Sequence, residues 1–197
     1  MTRSLTIDDI SDLRAYERER DAFRSHVIAV KRRRRIALGP FVTLLFENRD
    51  TIRFQIQEMA RVEKLISDEA IEGELRAYNP LIPEPGHLSA TLFIELTSEE
   101  LLREWLPKLV GIERSILIDA GDGSAPIRCE VDPAHESQLT RDDITASVHY
   151  VNWSFSPEQV EAFANGAPRV LCDHPEYGHV TDFTTENQAE LLADLRS

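Results

Sequence analysis

With 197 residues, of which 42% are hydrophobic and 29% charged, the chain has the composition of a globular protein and not of a disordered one. Its first residues are polar and amphipathic, and no segment approaches the roughly 18 apolar residues of a membrane span, so we expect neither export nor membrane insertion. Because the net charge is −13 and the only cysteines are Cys129 and Cys172, we expect an acidic cytoplasmic protein with reduced, buried thiols.

The first part of the sequence is predicted to be helical. A capping box predicts a helix that begins near Ile7. An apolar stripe predicts a second helix from about Asp21 into the basic run Lys31–Arg35, and the dipeptide Gly39-Pro40 ends it. We expect this helical segment, 1–35, to pack on an α+β body.

The next part of the sequence contains two predicted strands separated by helices. Residues 41–46 are apolar on both alternating faces, which is typical of a central strand. A helix is predicted over 52–66, and another begins at the cap residue Ser67 and stops before Pro80. Strict alternation over Leu88–Leu96 predicts a strand inside the sheet, with Leu88 and every second residue after it facing the core.

The remaining sequence is predicted to mix strands and helices. We expect strands over 115–119, 127–131, 143–155 and 169–174, and helices after Ser98, over 157–164 and over 186–195. These elements neither alternate strictly nor separate into halves. The sequence therefore predicts one α+β domain, residues 1–197, with a mostly antiparallel sheet of five to seven strands packed by helices.

The predicted helix over 52–66 departs from the usual amphipathic pattern. Projected at about 100° per residue, its apolar arc includes Gln55 and Glu63. A carboxylate that faces a core is costly unless it is paired, bound to a metal or protonated, so Glu63 is a candidate catalytic residue. The alternative is that Glu63 pairs with an arginine of the basic run or lies at the rim of the helix contact. Gln55, Glu58 and Arg34 are the candidate ligand-binding residues.

His149 lies in a predicted strand whose alternation changes phase. Before Tyr150 the apolar side chains occupy even positions, and after it they occupy odd positions. This change indicates a β-bulge or a strand that passes between two environments, and bulges often lie beside functional sites. We therefore expect His149 to approach Glu63 from the opposite wall of a site. The alternative is a hydrogen-bonded histidine on a solvated face.

Acidic and imidazole groups also cluster where the predicted strand 169–174 ends. Asp173 and His174 are candidate catalytic residues, because binding groups tend to collect at strand ends and in the loops that follow. His174 and His179 lie five residues apart, but the chain has no zinc-type cysteine pair. We predict no cofactor, with a bound metal ion as the open alternative.

The basic run Lys31–Arg35 raises the possibility of nucleic-acid binding. The isoelectric point of about 4.9 argues against it, since one short patch on an anionic protein makes few phosphate contacts. We predict instead that at least one arginine among Arg32–Arg35 pairs with a carboxylate of the same protein.

Six stretches of the sequence together resemble a bacterial family known as domain of unknown function 3501. They run in order to about Tyr177 and read KRRRRIALGP, LLFENRDTIRFQIQEMARVE, AYNPLIP, ATLFIEL, SVHYV and DHPEY. The resemblance implies no established activity and no catalytic residues. Genes of the family often neighbour those of rubrerythrin-like proteins and of iron–sulfur proteins of the heterodisulfide-reductase type, which implies a redox partner.

Two functions from different classes follow. In the first, the chain is an accessory or partner protein of a rubrerythrin or iron–sulfur type redox or peroxide-defence system and holds no cofactor itself. Without cysteine clusters it cannot ligate an iron–sulfur cluster in the usual four-cysteine way. In the second, it is a small enzyme with a polar or metal-assisted site built on glutamate and histidine. We predict no membrane association and leave a homo-oligomer open.

Overall fold

The computed structural model describes residues 4–131 and 143–197, which contain six α-helices and eight β-strands. The helices are α1 (Leu13–Arg34), α2 (Arg49–Glu63), α3 (Asp68–Tyr78), α4 (Glu99–Trp105), α5 (Pro157–Asn165) and α6 (Thr185–Arg196). The strands are β1 (Arg35–Leu38), β2 (Val42–Phe46), β3 (His87–Ile94), β4 (Ile116–Asp119), β5 (Ile127–Arg128), β6 (Val148–Ser154), β7 (Arg169–His174) and β8 (Tyr177–Asp182).

The strands form two antiparallel four-stranded sheets, in the orders β1-β2-β3-β6 and β5-β4-β7-β8. The inner faces of both sheets share one apolar core. The sheets also meet at their edges: Glu130 and Asn152 exchange backbone hydrogen bonds of 2.7 and 2.9 Å, and Thr181 Oγ1 donates to Ala37 O at 2.8 Å. The α+β class is as predicted, with eight strands in two sheets instead of five to seven in one.

The two strands predicted to be central are confirmed. β2 is buried along its whole length between β1 and β3. β3 lies between β2 and β6, and its inner face is apolar, while Leu96 packs against the core just beyond the strand. The buried residues of that face are Leu88, Ala90, Leu92 and Ile94.

Helices cover the outer face of the first sheet. Asn48 begins α2 with a capping box, and the Ser67 side chain caps α3. A second apolar cluster holds this layer together, with Ile52 and Ile56 of α2 at its centre. The first sheet is therefore packed on both faces, by the helical layer outside and by the second sheet inside. No helix in the described part of the chain is long and apolar enough to cross a membrane.

The N-terminal helical segment differs from the prediction. A single helix, α1, begins after the cap residue Asp12, and only a 3-10 turn forms at Ile7–Asp9. The basic run supplies the last turn of α1, where cations favour the negative end of the helix dipole. Arg35 already belongs to β1, a strand that the helical interpretation of this segment missed.

Of the two interpretations of the phase change at Tyr150, the β-bulge is wrong. β6 pairs with β3 in an unbroken register from the pair His87 and Ser154 to the pair Phe93 and Val148. The strand instead meets two environments, since Val148 and Tyr150 face the helical layer outside the first sheet, whereas Val151 and Trp153 face the core between the sheets.

Tyr177 joins the second sheet to the turn between β1 and β2. Its hydroxyl accepts hydrogen bonds from the backbone N–H groups of Phe41 and Val42, at 2.8 and 3.0 Å, and donates to Leu38 O at 2.8 Å. Gly39 makes this close approach possible: its φ is +73°, and a Cβ there would lie 2.6 Å from the His179 ring.

Candidate functional site

Glu63 does not face the core, contrary to the expectation from the helical projection. It is exposed at the end of α2, and the buried face of the helix is centred instead on Ile52, Ile56 and Ala60. The helix ends at Glu63 because Lys64 adopts the left-handed conformation, with φ at 56°. Ile66 therefore lies beyond the helix, 87% exposed, and cannot help to define its apolar arc.

His149 lies in the core between the two sheets, and not on a solvated face. It pairs with Leu92 on the inner face of the first sheet and is 1% exposed. Its Nε2 lies 2.9 Å from Ala146 O and 2.8 Å from Thr145 Oγ1. A carbonyl oxygen only accepts, so Nε2 carries the proton. Because α2 covers the other face of this sheet, His149 and Glu63 do not share a site.

Asp173 and His174 make structural contacts at the end of β7. The Asp173 carboxylate binds both terminal nitrogens of Arg128, at 3.0 and 2.5 Å, and this hydrogen bonding lowers the pKa of Asp173. The buried His174 ring donates from Nε2 to Val110 O at 3.1 Å and accepts at Nδ1 from the backbone N–H of Glu176 at 3.3 Å. Neither side chain approaches Glu63 or His149 in these contacts.

Arg34 holds the end of α1 against α6. Its side chain is 2% exposed and donates to Glu190 at 3.0 Å and to Asp194 at 2.6 Å. Arg33 shares Glu190, and Arg35 pairs with Glu95. The predicted pairing of the basic run with carboxylates of the same protein is therefore confirmed.

Glu58 links α2 to α1. Its carboxylate accepts from Arg20 Nε and Tyr16 Oη, both at 2.8 Å. The hydrogen bond from Arg20 is the largest cause that lowers the pKa of Glu58 to about 2, against the opposing effect of burial. Like Arg34, Glu58 is occupied by partners within the protein.

The two cysteines are buried in the second sheet. Cys129 and Cys172 lie on either side of Ile116, to which both pair, so a strand separates them. Burial raises the pKa of Cys129 to about 12 and that of Cys172 to about 11. Both thiols therefore stay protonated near neutral pH. Within the described residues, no group of three His, Cys, Asp or Glu side chains is arranged to hold a metal ion.

A cavity of about 170 Å³, which we call the Glu47 cavity, lies between α2 and the outer face of the first sheet. Glu47 directly follows β2 and precedes the α2 cap residue Asn48, so the change from strand to helix fixes its position. The backbone N–H of Glu47 donates to Ser89 O at 2.9 Å, which extends the pairing with β3 by one residue.

The Glu47 side chain is 7% exposed and hydrogen-bonded by two hydroxyl groups. Thr51 Oγ1 donates to its Oε2 at 2.5 Å, and Thr91 Oγ1 donates to its Oε1 at 2.6 Å. No cationic side chain in residues 4–131 or 143–197 lies within ion-pair distance of this carboxylate. Burial of a carboxylate without a cation is costly, so the protein maintains it here at the expense of stability.

The other walls of the cavity carry aromatic and polar side chains. Tyr78 and Tyr150 line it together with Gln55 and Lys31, all half-buried, so the cavity reaches solvent between them. Burial raises the pKa of the Tyr150 phenol, and nearby Tyr78 and Glu47 add to this effect. The cavity therefore brings a buried carboxylate, hydroxyl groups and aromatic rings together in one hollow, and such convergence of polar groups is a feature of ligand sites.

Of the candidate catalytic and ligand-binding residues named from the sequence, Gln55 lines this cavity, and so does Lys31 of the basic run. The sequence interpretation missed Glu47, although it is a charged residue between a largely apolar strand and a helix cap residue. It also missed Tyr78 and Tyr150. A usable signal was present, because all residues that line the cavity belong to five of the six stretches that resemble the family.

The comparisons with known proteins agree with this resemblance. The family model of a protein of unknown function (DUF3501) matches residues 4–195. No curated protein matches the sequence. A crystal structure of a protein of unknown function from Burkholderia pseudomallei is 35% identical, covers 98% of this chain and 99% of its own, and gives a TM-score of 0.89. The chain therefore belongs to the DUF3501 family of proteins of unknown function.

Proposed function

We propose that this protein is a cytoplasmic accessory protein that binds a small polar molecule in the Glu47 cavity. The observation that carries the proposal is the buried Glu47 carboxylate, which lines a cavity and has hydroxyl partners but no cation in the described residues. A ligand that donates hydrogen bonds to this carboxylate would compensate for its desolvation.

The position of the cavity supports the same proposal. Its walls come from α1, α2, β2, β3 and β6 and from the residues around the end of α3, which meet only in the folded protein. A site built on helices and strands holds its polar groups more rigidly than one built on loops.

The proposal is tested by filling the cavity. We expect a small molecule to co-purify with the wild-type protein from native cells. The substitution Val148→Phe, at the cavity wall, is expected to abolish binding of this molecule. Native mass spectrometry measures the bound molecule, which is then extracted and identified. Val180→Phe is the matched control, because Val180 is 59% exposed on β8 and lies outside the cavity. Absence of any bound molecule in the wild-type protein, or equal binding by Val148→Phe, would contradict the proposal.

We further propose that the protein serves a partner of a rubrerythrin or iron–sulfur type redox or peroxide-defence system. The family resemblance supports this partnership. The buried thiols support a role in which the chain supplies no thiol chemistry of its own, since burial keeps both in the unreactive protonated form.

Affinity purification of the tagged protein from native cells, with metal analysis of the same sample, tests the partnership. We expect a rubrerythrin-like or iron–sulfur protein, with its iron, to be enriched over an untagged control. If proteins of this type are not enriched, the partnership is wrong, whereas binding in the Glu47 cavity is judged separately.

The second function, a small enzyme with a glutamate and histidine site, has less support. The exposed position of Glu63 and the core position of His149 place the two residues on opposite sides of the first sheet. We therefore do not propose that they act together.

A further inference from the structure

We infer that the natural ligand of the Glu47 cavity is a small zwitterion that carries one ammonium and one carboxylate group, such as an amino acid with a short aliphatic chain. This inference rests on the proposed function, because it names the chemical class of the molecule bound there. It follows from a carboxylate, Glu47, and a lysine side chain, Lys31, which both line the cavity and do not pair with each other.

The first charge is the Glu47 carboxylate. Each of its oxygens accepts one hydrogen bond from a threonine hydroxyl, from Thr51 and from Thr91. Because an ionised carboxylate has about four lone-pair sites, it retains the capacity to accept hydrogen bonds from a ligand ammonium group. An ammonium group also supplies the positive charge that this buried anion lacks in the described part of the protein.

The second charge is the Lys31 ammonium. Lys31 lines the same cavity from the last turn of α1 and is half-buried. Its one specific contact with the described residues is a cation–π contact, with Nζ 5.5 Å from the centre of the Phe54 ring. Lys31 does not pair with Glu47, and it makes no ion pair or hydrogen bond with any other residue in 4–131 and 143–197. A ligand carboxylate therefore finds an available cation here.

The wall between these charges fits a short aliphatic chain. Phe93 and Val148 present apolar surface to the cavity beside the ring of Tyr150. A cavity of about 150 Å³ accommodates benzene, so a volume of about 170 Å³ admits a molecule of fewer than about ten non-hydrogen atoms. Simple amino acids with a few methylene groups fall within this limit.

The test uses ω-amino acids with two to six carbon atoms, with butylamine and butanoate as probes that lack one charge each. We expect isothermal titration calorimetry to detect one binding site for at least one amino acid of the series. We also expect butylamine and butanoate to bind at least about ten-fold more weakly, since each lacks one charged contact. The chain length that binds best measures the separation between the Lys31 and Glu47 groups.

Two cavity variants assign the charges to the ends of the ligand. Lys31→Met removes the half-buried ammonium, and Glu47→Gln replaces the carboxylate with a neutral group of the same shape. We expect each to weaken binding of the best amino acid at least about ten-fold. Arg32→Met is the matched control, because Arg32 is exposed on the same helix turn and lies outside the cavity. If Glu47→Gln fails to fold, Lys31→Met still decides whether the carboxylate end is recognised.

Three results of the binding experiments would overturn the inference. In the first, no amino acid of the series binds. In the second, butylamine binds as tightly as the best amino acid. In the third, Lys31→Met binds the best amino acid as tightly as wild type. If the molecule extracted from native protein is not a zwitterion, the inference fails while the proposed cavity function stands. If no molecule is extracted from the native protein, both fail.

Discussion

Arg34 shows how a single residue of a charge run can be part of the core. Its guanidinium is buried against two carboxylates of α6 and donates to the Glu47 carbonyl oxygen at 3.3 Å. Removal of one partner from a buried ion-pair network leaves the others uncompensated, which is more costly than loss of a surface pair.

We therefore expect Arg34→Met to lower the free energy of unfolding by about 3 kcal/mol in urea denaturation. Arg32→Met, two residues earlier and exposed, is expected to change it by less than about 0.5 kcal/mol. If the two substitutions changed the free energy of unfolding equally, the burial of Arg34 would not make it more important for stability than the exposed Arg32.

Glu58 provides a pH-dependent test at the same scale. Its pKa falls from 4.5 to about 2 on folding, so the folded protein binds this proton less readily than the unfolded chain. The contribution of Glu58 to stability is therefore complete above about pH 4.5 and disappears as the pH falls through about 2.

We expect Glu58→Gln to lower the free energy of unfolding by about 2 kcal/mol at about pH 7, with a smaller difference from wild type at each step below pH 4.5. Denaturation measured along a pH series checks this, with the exposed turn residue Glu176 changed to Gln as a control. A difference that does not depend on pH would contradict an electrostatic origin.

Single residues were harder to predict from sequence than the elements that carry them. Glu63 was assigned to a core face because Ile66 extended the apparent arc, but the left-handed residue Lys64 ends the helix first. Glu47 escaped notice because its burial depends on β3 and α2 together. The burial of such a residue can be recognised only when the packing of elements distant in sequence is known.

Elements with a clear period were predictable. β3 alternates strictly and lies inside a sheet, so its pattern records which face meets the core. The sequence pattern does not predict β8, which lies at the edge of its sheet, and apart from Tyr177 its side chains are at least partly exposed. The pattern of an edge strand is weak since water covers much of it.

At the scale of elements, Tyr177 connects the hairpin of β7 and β8 to the turn between β1 and β2. Replacement of Tyr177 by Phe keeps the ring but leaves the Phe41 and Val42 N–H groups without their acceptor. An unsatisfied buried donor costs about 1–3 kcal/mol. We therefore expect Tyr177→Phe to lower the free energy of unfolding by about 3 kcal/mol.

Chemical denaturation measures this change, and Thr181→Val provides the comparison. Thr181 makes a single hydrogen bond to β1 at a more exposed position, so its loss should cost less than about 1 kcal/mol. If Tyr177→Phe is as stable as wild type, the tyrosine hydroxyl does not hold the two sheets together.

At the scale of the whole molecule, the reaction of the two cysteine thiols with a reagent in solution shows whether the core opens. Cys129 and Cys172 are 7% and 4% exposed, and burial raises the pKa of both. We expect a thiol reagent to modify neither cysteine in the native protein and both in denaturant, as measured by absorbance or mass. Rapid labelling without denaturant would show that the second sheet opens locally.

The contacts between the sheet edges also bear on self-association. A strand edge with free N–H and C=O groups is a template on which strands of other molecules assemble. Here Glu130, two residues after β5, exchanges hydrogen bonds with Asn152 of β6, and β8 lies against β1 with Thr181 bonded to Ala37. Both pairs of edges are thus turned toward each other, so the native protein offers little template for fibril growth, and concentrated solutions are expected to remain free of amyloid while the fold is intact.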